Sequence, residues 1–214
     1  FLGLYDKLLL LLNNLNEFFI MLIIFMQFLL FICFAYFLGS IPFGKIIGHM
    51  QGIDVQKKGS GNIGFTNSLR ALGWRPAVLV LIGDILKGFI PTKIALEFLP
   101  LDQALIIAAV AILAHIFPIW LKFKGGKGVA TGLGSLLAIN PLIIVIAFIV
   151  FLAVFLTTKI VSISSILSTY TLPIIAYFIF PKLIIFYLVL SIIVTWTHRE
   201  NLARLTKGTE KRIM

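Results

Sequence analysis

The chain of 214 residues is 60% hydrophobic and only 12% charged, with a mean hydropathy of +1.10. Because a soluble domain carries roughly 25% charged residues, this composition excludes a soluble globular protein and predicts an all-α integral membrane protein. Its apolar runs reach the ~20 residues of a membrane span and lack the alternation of a barrel wall. With the charges confined to loops, the net charge of +10 indicates membrane orientation and an anionic substrate rather than nucleic acid.

Residues 1–20 differ from the rest of the chain, because charged side chains such as Glu17 interrupt their short apolar runs. No small-residue cleavage site of a signal peptide follows, and Met21 begins an uninterrupted apolar span. We therefore interpret 1–20 as a leader, either an upstream extension or an interfacial segment, and 21–214 as a single polytopic membrane domain.

Along the rest of the chain, the apolar runs predict helices at 21–47, 74–99, 102–121, 160–180 and 182–198. The remaining apolar stretch, Gly128–Thr158, contains Asn140-Pro141, and proline disfavours a helical conformation at the residue before it. This stretch is therefore either one kinked span or a short helix, Val129–Ile139, followed by a second helix.

The distribution of lysine and arginine decides between the two alternatives, because cytoplasmic loops are enriched in these residues. The basic residues form three groups: Lys57, Lys58, Arg70 and Arg75; Lys122, Lys124 and Lys127; and Arg199, Arg204, Lys207, Lys211 and Arg212. Only two separate segments within 128–158 place all three groups on one side. The sequence thus predicts seven membrane helices, the fourth one short, with an external N-terminus and a cytosolic C-terminus.

The predicted topology brings three polar segments to the cytosolic face, where we therefore expect the active site. The first has the pattern G-x-G-x-x-G, but membrane helices flank it instead of the strands of a dinucleotide-binding fold. Its glycines allow backbone N–H groups to approach an anion, and a flexible Gly-Ser loop is the alternative. Its candidate anion-binding residues are Gly59, Ser60, Gly61, Asn62, Thr66 and Asn67.

The second segment surrounds Lys127, which stands between glycines at the start of the short predicted helix. A cation beside free N–H groups and the positive end of a helix dipole favours phosphate binding. The spacing excludes a Walker A loop, and we interpret Lys122 and Lys124 as orientation charges. The candidate residues of this segment are Gly125, Gly126, Lys127, Gly128 and Thr131.

The third segment opens the C-terminal tail, where His198 and Asn201 share a face of the predicted helix end. Glu200 and Arg204 stand four positions apart in the favourable order for an ion pair, as expected of a salt-bridged helix end at the membrane interface. His198 lies at the membrane edge and faces two glycine-rich loops, which makes it a candidate functional residue.

Other polar residues in the predicted spans have structural interpretations. Asp84 and Lys87 are costly in a membrane unless paired, so we expect them to pair and support the site. We interpret His115 as a buried hydrogen-bonding residue and Cys33 as apolar packing. The sequence has no cluster of histidines and carboxylates, so neither a metal nor another cofactor is predicted.

Together these segments resemble the bacterial acyl-phosphate-dependent glycerol-3-phosphate acyltransferases, the PlsY family. The matching motifs keep their order and spacing from about Met21 to the end of the chain. They are Gly39–Gly44, Gly59–Asn67 with Arg70, Asp84–Gly88, Lys124–Thr131, and His198–Arg204 with Gly208 and Glu210. Each motif is moderately specific, and their combination in a chain of this size is very specific.

The resemblance implies transfer of a fatty acyl group from acyl phosphate to the 1-hydroxyl of sn-glycerol 3-phosphate, the first acylation of bacterial phospholipid synthesis. The products are lysophosphatidic acid and phosphate. It also implies a location in the bacterial cytoplasmic (inner) membrane. Acyl phosphate, glycerol 3-phosphate and membrane lipid are the implied partners, and the soluble enzyme that makes acyl phosphate is a further candidate. Because both substrates carry phosphate, positioning and charge stabilisation are expected to dominate catalysis.

Under this resemblance, Lys127 and the backbones of 59–61 and 125–128 hold the phosphoryl group of acyl phosphate. The candidates for binding glycerol 3-phosphate are Ser60, Thr66, Asn67 and Arg70. His198 and Asn201 orient the attacking hydroxyl or a phosphate, and the base is either His198 or the substrate phosphate itself. The predicted catalytic residues are Lys127, His198, Ser60 and Asn201.

A membrane transporter or channel for a phosphorylated metabolite is the alternative function. It would also need membrane helices and cations, but transporters place the site near the bilayer midplane and commonly have repeated halves. The polar residues of this chain cluster at one face and the three segments show no repeat, which favours the enzyme.

Overall fold

The computed structural model describes residues 2–213, with side chains from Leu15 onward. Throughout this part of the chain the regular structure is helical. The helices are α1 (Leu2–Gly39), α2 (Phe43–Met50), α3 (Phe65–Leu72), α4 (Trp74–Phe98), α5 (Leu101–Ile116), α6 (Val129–Ile139), α7 (Pro141–Thr158), α8 (Val161–Ile179), α9 (Ile184–Thr197) and α10 (Arg199–Thr206). Short 3-10 turns lie at Val55–Lys57, Ile119–Leu121 and Pro181–Leu183.

Several of the long helices could cross a membrane by length and composition. Within the described residues, four are apolar and long enough to cross a bilayer, and the bent pair α9–α10 raises this number to five if it is counted as one span. Helix α6 is apolar but shorter. Each of the seven predicted membrane segments has a helical counterpart, in α1, α4, α5, α6, α7, α8 and α9.

Helix α1 is longer at its start and shorter at its end than predicted. It runs without interruption from Leu2, so the predicted helix start at Met21 is wrong. The preceding stretch is rich in leucine and contains no proline, which favours continuation of the helix. The predicted end at 47 is also wrong, because Pro42 disfavours a helical conformation at Ile41 and the chain turns there before α2.

The other predicted helices lie within a few residues of the observed ones. Helix α5 shows the largest difference, since it ends at Ile116 rather than at 121. Pro118 follows this end, and proline cannot continue a helix without losing a backbone hydrogen bond. The five residues beyond it form a turn and a short 3-10 segment instead.

The stretch 128–158 forms two helices rather than one kinked span. Asn140 caps α7, because its side chain accepts a hydrogen bond from the N–H of Ile143 at 3.2 Å, and Pro141 occupies the first helical position. The two helices also have different neighbours, since α6 packs mainly on α4 and α7 packs mainly on α8. Of the two alternatives, the short helix followed by a second helix is the one observed.

Helices α4 and α6 approach each other closely at positions occupied by glycine. A Cβ atom added to Gly88 would lie 2.0 Å from the carbonyl oxygen of Thr131, and one added to Gly134 would lie 1.9 Å from that of Ile85. Small residues allow such close contact between membrane helices, where packing replaces the hydrophobic effect as the main attraction. The α4–α6 contact places the start of α6 firmly against the middle of α4.

Candidate active site

A cavity of about 470 Å³ opens between the polar segments and the helices α6 to α9. The residues that line it from helix interiors are mainly apolar: Leu133, Leu136, Ile144, Ala147, Phe148, Phe151, Leu172, Leu190 and Val194. The residues that line it from loops and helix ends are mainly polar or charged. The cavity therefore combines a charged region with an apolar one, as an amphiphilic ligand requires.

Most of the residues predicted for the site line this cavity. They are Gly59, Ser60, Asn62, Thr66, Asn67, Arg70, Lys127, Gly128, His198 and Asn201. The structure thus brings together residues from all three polar segments, as the sequence predicted. Four predicted residues are outside the lining: Gly61, Gly125, Gly126 and Thr131.

The first glycine-rich loop is organised by the side chain of Asn67, which is almost fully buried. Asn67 Oδ1 accepts a hydrogen bond from the N–H of Ser60 at 2.8 Å. Its Nδ2 lies 2.8–3.1 Å from the carbonyl oxygens of Val55, Lys58 and Asn62. Both ends of the amide are engaged by backbone groups of this loop and of the segment before it, while direct binding of substrate by Asn67 stays a prediction.

Asn62 also has a local role. Its Oδ1 accepts a hydrogen bond from the N–H of Gly64 at 2.8 Å, which closes an Asx turn at the start of α3. Gly59 and Gly61 have φ values of +61° and +72°, in the left-handed region that favours glycine. These glycines therefore serve the shape of the loop, and the expectation that the backbone of 59–61 presents free N–H groups is wrong for Ser60.

The second glycine-rich loop is attached to the end of α5. The N–H of Gly125 donates to the carbonyl of Ile116 at 3.0 Å, and the N–H of Gly126 donates to the carbonyl of His115 at 3.0 Å. These bonds satisfy carbonyl groups that the last turn of a helix leaves unpaired. The predicted use of these two N–H groups to bind phosphate is therefore wrong, because both are already engaged.

Lys127 follows this loop and is linked to the C-terminal tail. Its Nζ donates a hydrogen bond to Asn201 Oδ1, and Asn201 Nδ2 donates to Glu210 Oε1 at 2.5 Å. Glu210 also accepts from Ser162 Oγ at 2.9 Å and from Arg204 Nε at 2.7 Å. Arg204 is thus paired with Glu210, and the expected pairing with the residue four positions before it, Glu200, is wrong.

The charged groups of this cluster have shifted pKa values. Burial lowers the pKa of the Lys127 ammonium to about 8, with Glu210 acting in the opposite direction and Arg204 adding to the decrease. Burial raises the pKa of Glu210, but its hydrogen bonds from Asn201, Arg204 and Ser162 outweigh this effect and leave the pKa below its usual value. A bound anion would favour the charged form of Lys127, so the site is suited to a phosphate group.

His198 is held in one tautomer. Its Nδ1 lies 2.7 Å from the carbonyl oxygen of Val194, and because a carbonyl can only accept, Nδ1 carries the proton. In the neutral ring, Nε2 is then free to accept a hydrogen bond. His198 is buried and lines the cavity. Arg70 is exposed at the cavity mouth, where its Nη2 lies 3.4 Å from the carbonyl oxygen of Lys211.

Several polar residues of the cavity were not predicted as site residues. Ser162, Ser165 and Ser168 stand on one face of α8, and their spacing of three within an apolar helix is a signal that the sequence contained. Glu210 was part of the family resemblance but had no assigned role, since its contact with Ser162 joins residues 48 positions apart and its contacts with Asn201 and Arg204 depend on the path of the tail. Asp84 and His115 also line the cavity.

The geometry defines a class of protein: a multi-span helical membrane protein whose cavity offers cations and hydrogen-bond donors beside an apolar groove. Among the described residues, histidine, cysteine and carboxylate side chains form no group suited to a metal. The model of the family described as Glycerol-3-phosphate acyltransferase matches residues 29–208. The chain belongs to this family.

Individual relatives are similar over most of their length. A glycerol-3-phosphate acyltransferase from Fusobacterium nucleatum is 44% identical over 191 residues, which cover 87% of this chain and 98% of that protein. One from Aquifex aeolicus is 40% identical over 191 residues, which cover 87% of this chain and 100% of that protein.

Two solved structures share the fold. A crystal structure of PlsY, an integral membrane glycerol 3-phosphate acyltransferase, in its glycerol 3-phosphate form has a TM-score of 0.85 and 38% sequence identity. Its lysophosphatidic acid form has a TM-score of 0.82. Each match covers 88% of this chain and 96% of the other.

Proposed function

We propose that this protein transfers a fatty acyl group from acyl phosphate to the 1-hydroxyl of sn-glycerol 3-phosphate, in the first acylation of bacterial phospholipid synthesis. The observation that carries the proposal is the cavity, in which Lys127, Asn201 and Arg70 stand near an apolar groove between α6 and α8. Both expected substrates carry a phosphate group, and one also carries a long hydrocarbon chain. Relatives that bind glycerol 3-phosphate and lysophosphatidic acid support the same reaction.

Lys127 is the proposed ligand of the phosphoryl group of acyl phosphate. Its ammonium group is desolvated enough to lower its pKa, and Asn201 holds this group in place. As the reaction proceeds, charge develops on the phosphate that leaves, and a fixed cation stabilises this charge more in the transition state than in the ground state. Ser60, Thr66 and Arg70, which line the mouth, are the proposed ligands of glycerol 3-phosphate.

In the proposed reaction, the 1-hydroxyl oxygen attacks the acyl carbonyl carbon, and the bond between this carbon and the bridging phosphate oxygen breaks. The electron pair of that bond leaves with the phosphate. The hydroxyl proton goes either to His198 Nε2, which is free in the observed tautomer, or to the phosphate of glycerol 3-phosphate. Acyl phosphate is already activated, so the reaction needs no covalent acyl-enzyme.

Activity of the His198→Ala variant distinguishes the two bases. If His198 is the base, kcat is nearly lost at every pH, by about a hundredfold or more. If the substrate phosphate is the base, the loss is modest. The variant His198→Asn, which can still donate to the carbonyl of Val194, separates loss of the base from loss of the local hydrogen bond.

We also propose seven membrane segments in the bacterial cytoplasmic membrane, with an external N-terminus and the active site on the cytosolic face. The three basic groups support this orientation, since each contributes at least one residue to the cavity lining, namely Arg70, Lys127 and Arg204. Residues 1–20 are proposed to be a leader, either an upstream extension or an interfacial segment. The acyl tail enters the groove laterally from the membrane, and the soluble enzyme that makes acyl phosphate is a proposed partner.

The orientation is tested by labelling single cysteines in intact cells. In a Cys33→Ala background, Thr209→Cys should react with a membrane-impermeant maleimide only after the cells are opened. Lys182→Cys, at the other end of α8, should react in intact cells. The reverse pattern would overturn the proposed orientation.

The function is tested with purified protein in lipid or detergent, with glycerol 3-phosphate and a choice of palmitoyl phosphate, palmitoyl-CoA or palmitoyl acyl carrier protein. Equal release of phosphate and lysophosphatidic acid with palmitoyl phosphate alone is the expected result. Turnover with palmitoyl-CoA alone would overturn the proposed donor but keep the class of enzyme. Absence of acyl transfer from a folded protein would favour the transporter alternative.

A further inference from the structure

Three titratable side chains lie together in the interior of the molecule and have no role in the proposed reaction. Asp84 Oδ1 lies 2.8 Å from Lys87 Nζ and 3.5 Å from His115 Nδ1. All three side chains are almost completely buried. The expected pairing of Asp84 with Lys87 is confirmed, and His115 joins the pair from α5. We refer to Asp84, Lys87 and His115 as the buried charged cluster.

The imidazole ring of His115 lies directly against the second glycine-rich loop. A Cβ atom added to Gly126 would lie 2.0 Å from His115 Nε2 and 2.7 Å from Cε1, so no side chain fits between the loop and the ring. The backbone of the same residues is also joined, through the hydrogen bond from the Gly126 N–H to the His115 carbonyl. Lys127 directly follows Gly126, so the contact between Gly126 and His115 also fixes the position of the Lys127 backbone.

The buried charged cluster is itself anchored on the rest of the fold. Lys87 Nζ donates a hydrogen bond to the carbonyl of Ile41 at 2.7 Å, in the break between α1 and α2. The next residue, Gly88, is in close contact with Thr131 near the start of α6. The cluster thus connects four parts of the molecule: the α1–α2 break, α4, the end of α5 and the loop before α6.

The energetic cost of burying this cluster indicates that it has a role other than stabilising the fold. Burying an ion pair in a membrane protein is unfavourable, and well-packed apolar side chains often give equal or greater stability. An apolar residue at 115, however, would have no polar contact to fix its orientation. Asp84 Oδ1 lies 3.5 Å from His115 Nδ1, an electrostatic contact rather than a hydrogen bond, and this contact favours the ring orientation that meets Gly126.

We propose that Asp84 and His115 are positioning residues that fix the second glycine-rich loop and so place the Lys127 ammonium opposite Asn201. This inference rests on the proposed role of Lys127 as the ligand of a phosphoryl group. It assigns no contact with substrate to Asp84 or His115. The cluster acts through the second glycine-rich loop. It sets the distance between the Lys127 ammonium and the carbon–oxygen bond of acyl phosphate that breaks.

A double-mutant cycle between His115 and Gly126 tests the inference. Gly126→Ala forces a methyl group into the ring, so kcat/KM for palmitoyl phosphate should fall about tenfold to a hundredfold. His115→Ala removes the support and should cause a loss of similar size. In the double variant the methyl group enters the vacated space, so its activity should be no lower than that of His115→Ala. Losses that multiply would overturn the inference.

A second measurement does not depend on turnover. Inorganic phosphate should raise the melting temperature of the wild-type protein by binding at Lys127. Lys127→Ala should remove this shift, and His115→Ala and Asp84→Asn should reduce it. His49→Ala, an exposed histidine of α2, is the matched control and should keep the whole shift. A full shift in His115→Ala would overturn the inference.

The two proposals can fail separately. If wild-type protein transfers acyl groups but His115→Ala does so normally, the positioning role is wrong and the reaction stands. If wild-type protein transfers none, the reaction is wrong, while the phosphate-induced shift still tests the cluster. His115→Gln provides a second variant should His115→Ala not fold, because its amide can donate to Asp84 while the ring no longer meets Gly126.

Discussion

The loop of residues 59–64 is held by asparagine side chains, chiefly that of Asn67, whereas the loop of residues 124–128 is attached to the end of helix α5. In the first, the buried amide of Asn67 bonds to backbone groups within the loop and in the segment before it. In the second, two backbone N–H groups pair with carbonyls of α5, and the ring of His115 lies against Gly126. Both loops have the glycine-rich sequence that is typical of anion sites.

The difference shows that two loops with similar glycine-rich sequences are held in place beside the cavity in different ways. The N–H groups of Ser60, Gly125 and Gly126 are all engaged within the protein, so glycine here gives shape and close contact rather than free donors. Anion binding then depends on side chains that these loops carry or adjoin, chiefly Lys127 and Arg70. Substitutions in the first loop should therefore act mainly by removing its internal hydrogen bonds, which lowers stability. Substitutions in the second loop should act mainly by removing the charge of Lys127, which lowers activity.

Lys127→Ala should have the largest effect on activity. It removes the buried cation that is proposed to stabilise the leaving phosphate, and loss of such a group costs roughly 10²–10³-fold in kcat. The measurement is turnover of palmitoyl phosphate with glycerol 3-phosphate at a fixed pH of about 7. Lys124→Ala is the matched control, since this lysine of the same loop is exposed and should retain nearly full activity. Equal losses of kcat in both variants would show that the effect does not depend specifically on the Lys127 cation.

Asn67→Ala should destabilise the first loop more than any other single change there. It leaves an N–H group and several carbonyl groups without their partner, and a buried polar group without a partner costs about 1–3 kcal/mol. The thermal unfolding temperature in detergent reports this loss. Asn62→Ala, which removes one hydrogen bond to Gly64, should have a smaller effect. A melting temperature equal to that of the wild type would show that Asn67 does not organise the loop.

The pH dependence should report the charge state of Lys127. Its pKa of about 8 lies below the usual value, so the free enzyme loses the cation as the pH rises through 8. We expect kcat/KM to fall about tenfold between pH 8 and pH 9.5, because kcat/KM follows ionisation in the free enzyme. Lys127→Arg keeps its charge over this range, so whatever activity it retains should not fall. A parallel decrease in both would assign the ionisation to another group.

Gly59→Ala should lower the stability of the protein through two causes, and Gly52→Ala separates them. Both residues have positive φ, so alanine costs about 1–2 kcal/mol at either position. Gly59 has a further constraint, because an added Cβ would lie 2.2 Å from Asn67 Oδ1, whereas none of the described atoms lies within 4 Å at Gly52. Unfolding temperatures should therefore fall further for Gly59→Ala. Equal decreases would mean that backbone conformation alone explains both glycines.

Much of the architecture could be predicted from the sequence because it depends on local and compositional signals. The run of apolar residues defines each long helix, and Asn140-Pro141 marks the division between α6 and α7 through capping and the geometry of proline. The distribution of lysine and arginine indicated that distant polar segments meet. That convergence is observed for Lys127 and Asn201, which are hydrogen-bonded.

The remaining features depend on the path of the chain in loops and in the tail, which no periodicity reveals. An asparagine in a glycine-rich loop can bind a ligand or bond to its own loop, and the sequence is the same in both cases. Only the fold shows that the Asn67 amide bonds to backbone carbonyls. The partners of Glu210 lie on α8 and α10, and their convergence follows from the path of the tail. The start of α1 was also missed, because the interrupted composition before Met21 does not by itself end a helix.

The glycine contacts between α4 and α6 bear on which parts of the cavity wall can move. Helices usually slide past each other when the side chains between them change rotamer, but at Gly88 and Gly134 there are none to change. These two helices should therefore move as one rigid body. The opposite wall carries large, rotatable side chains, including Phe148, Phe151 and Leu172. Under the proposed function, acyl chains of different length are accommodated by movement of the wall formed by α7 and α8 and by rotation of lining side chains, those of Leu133 and Leu136 on α6 included.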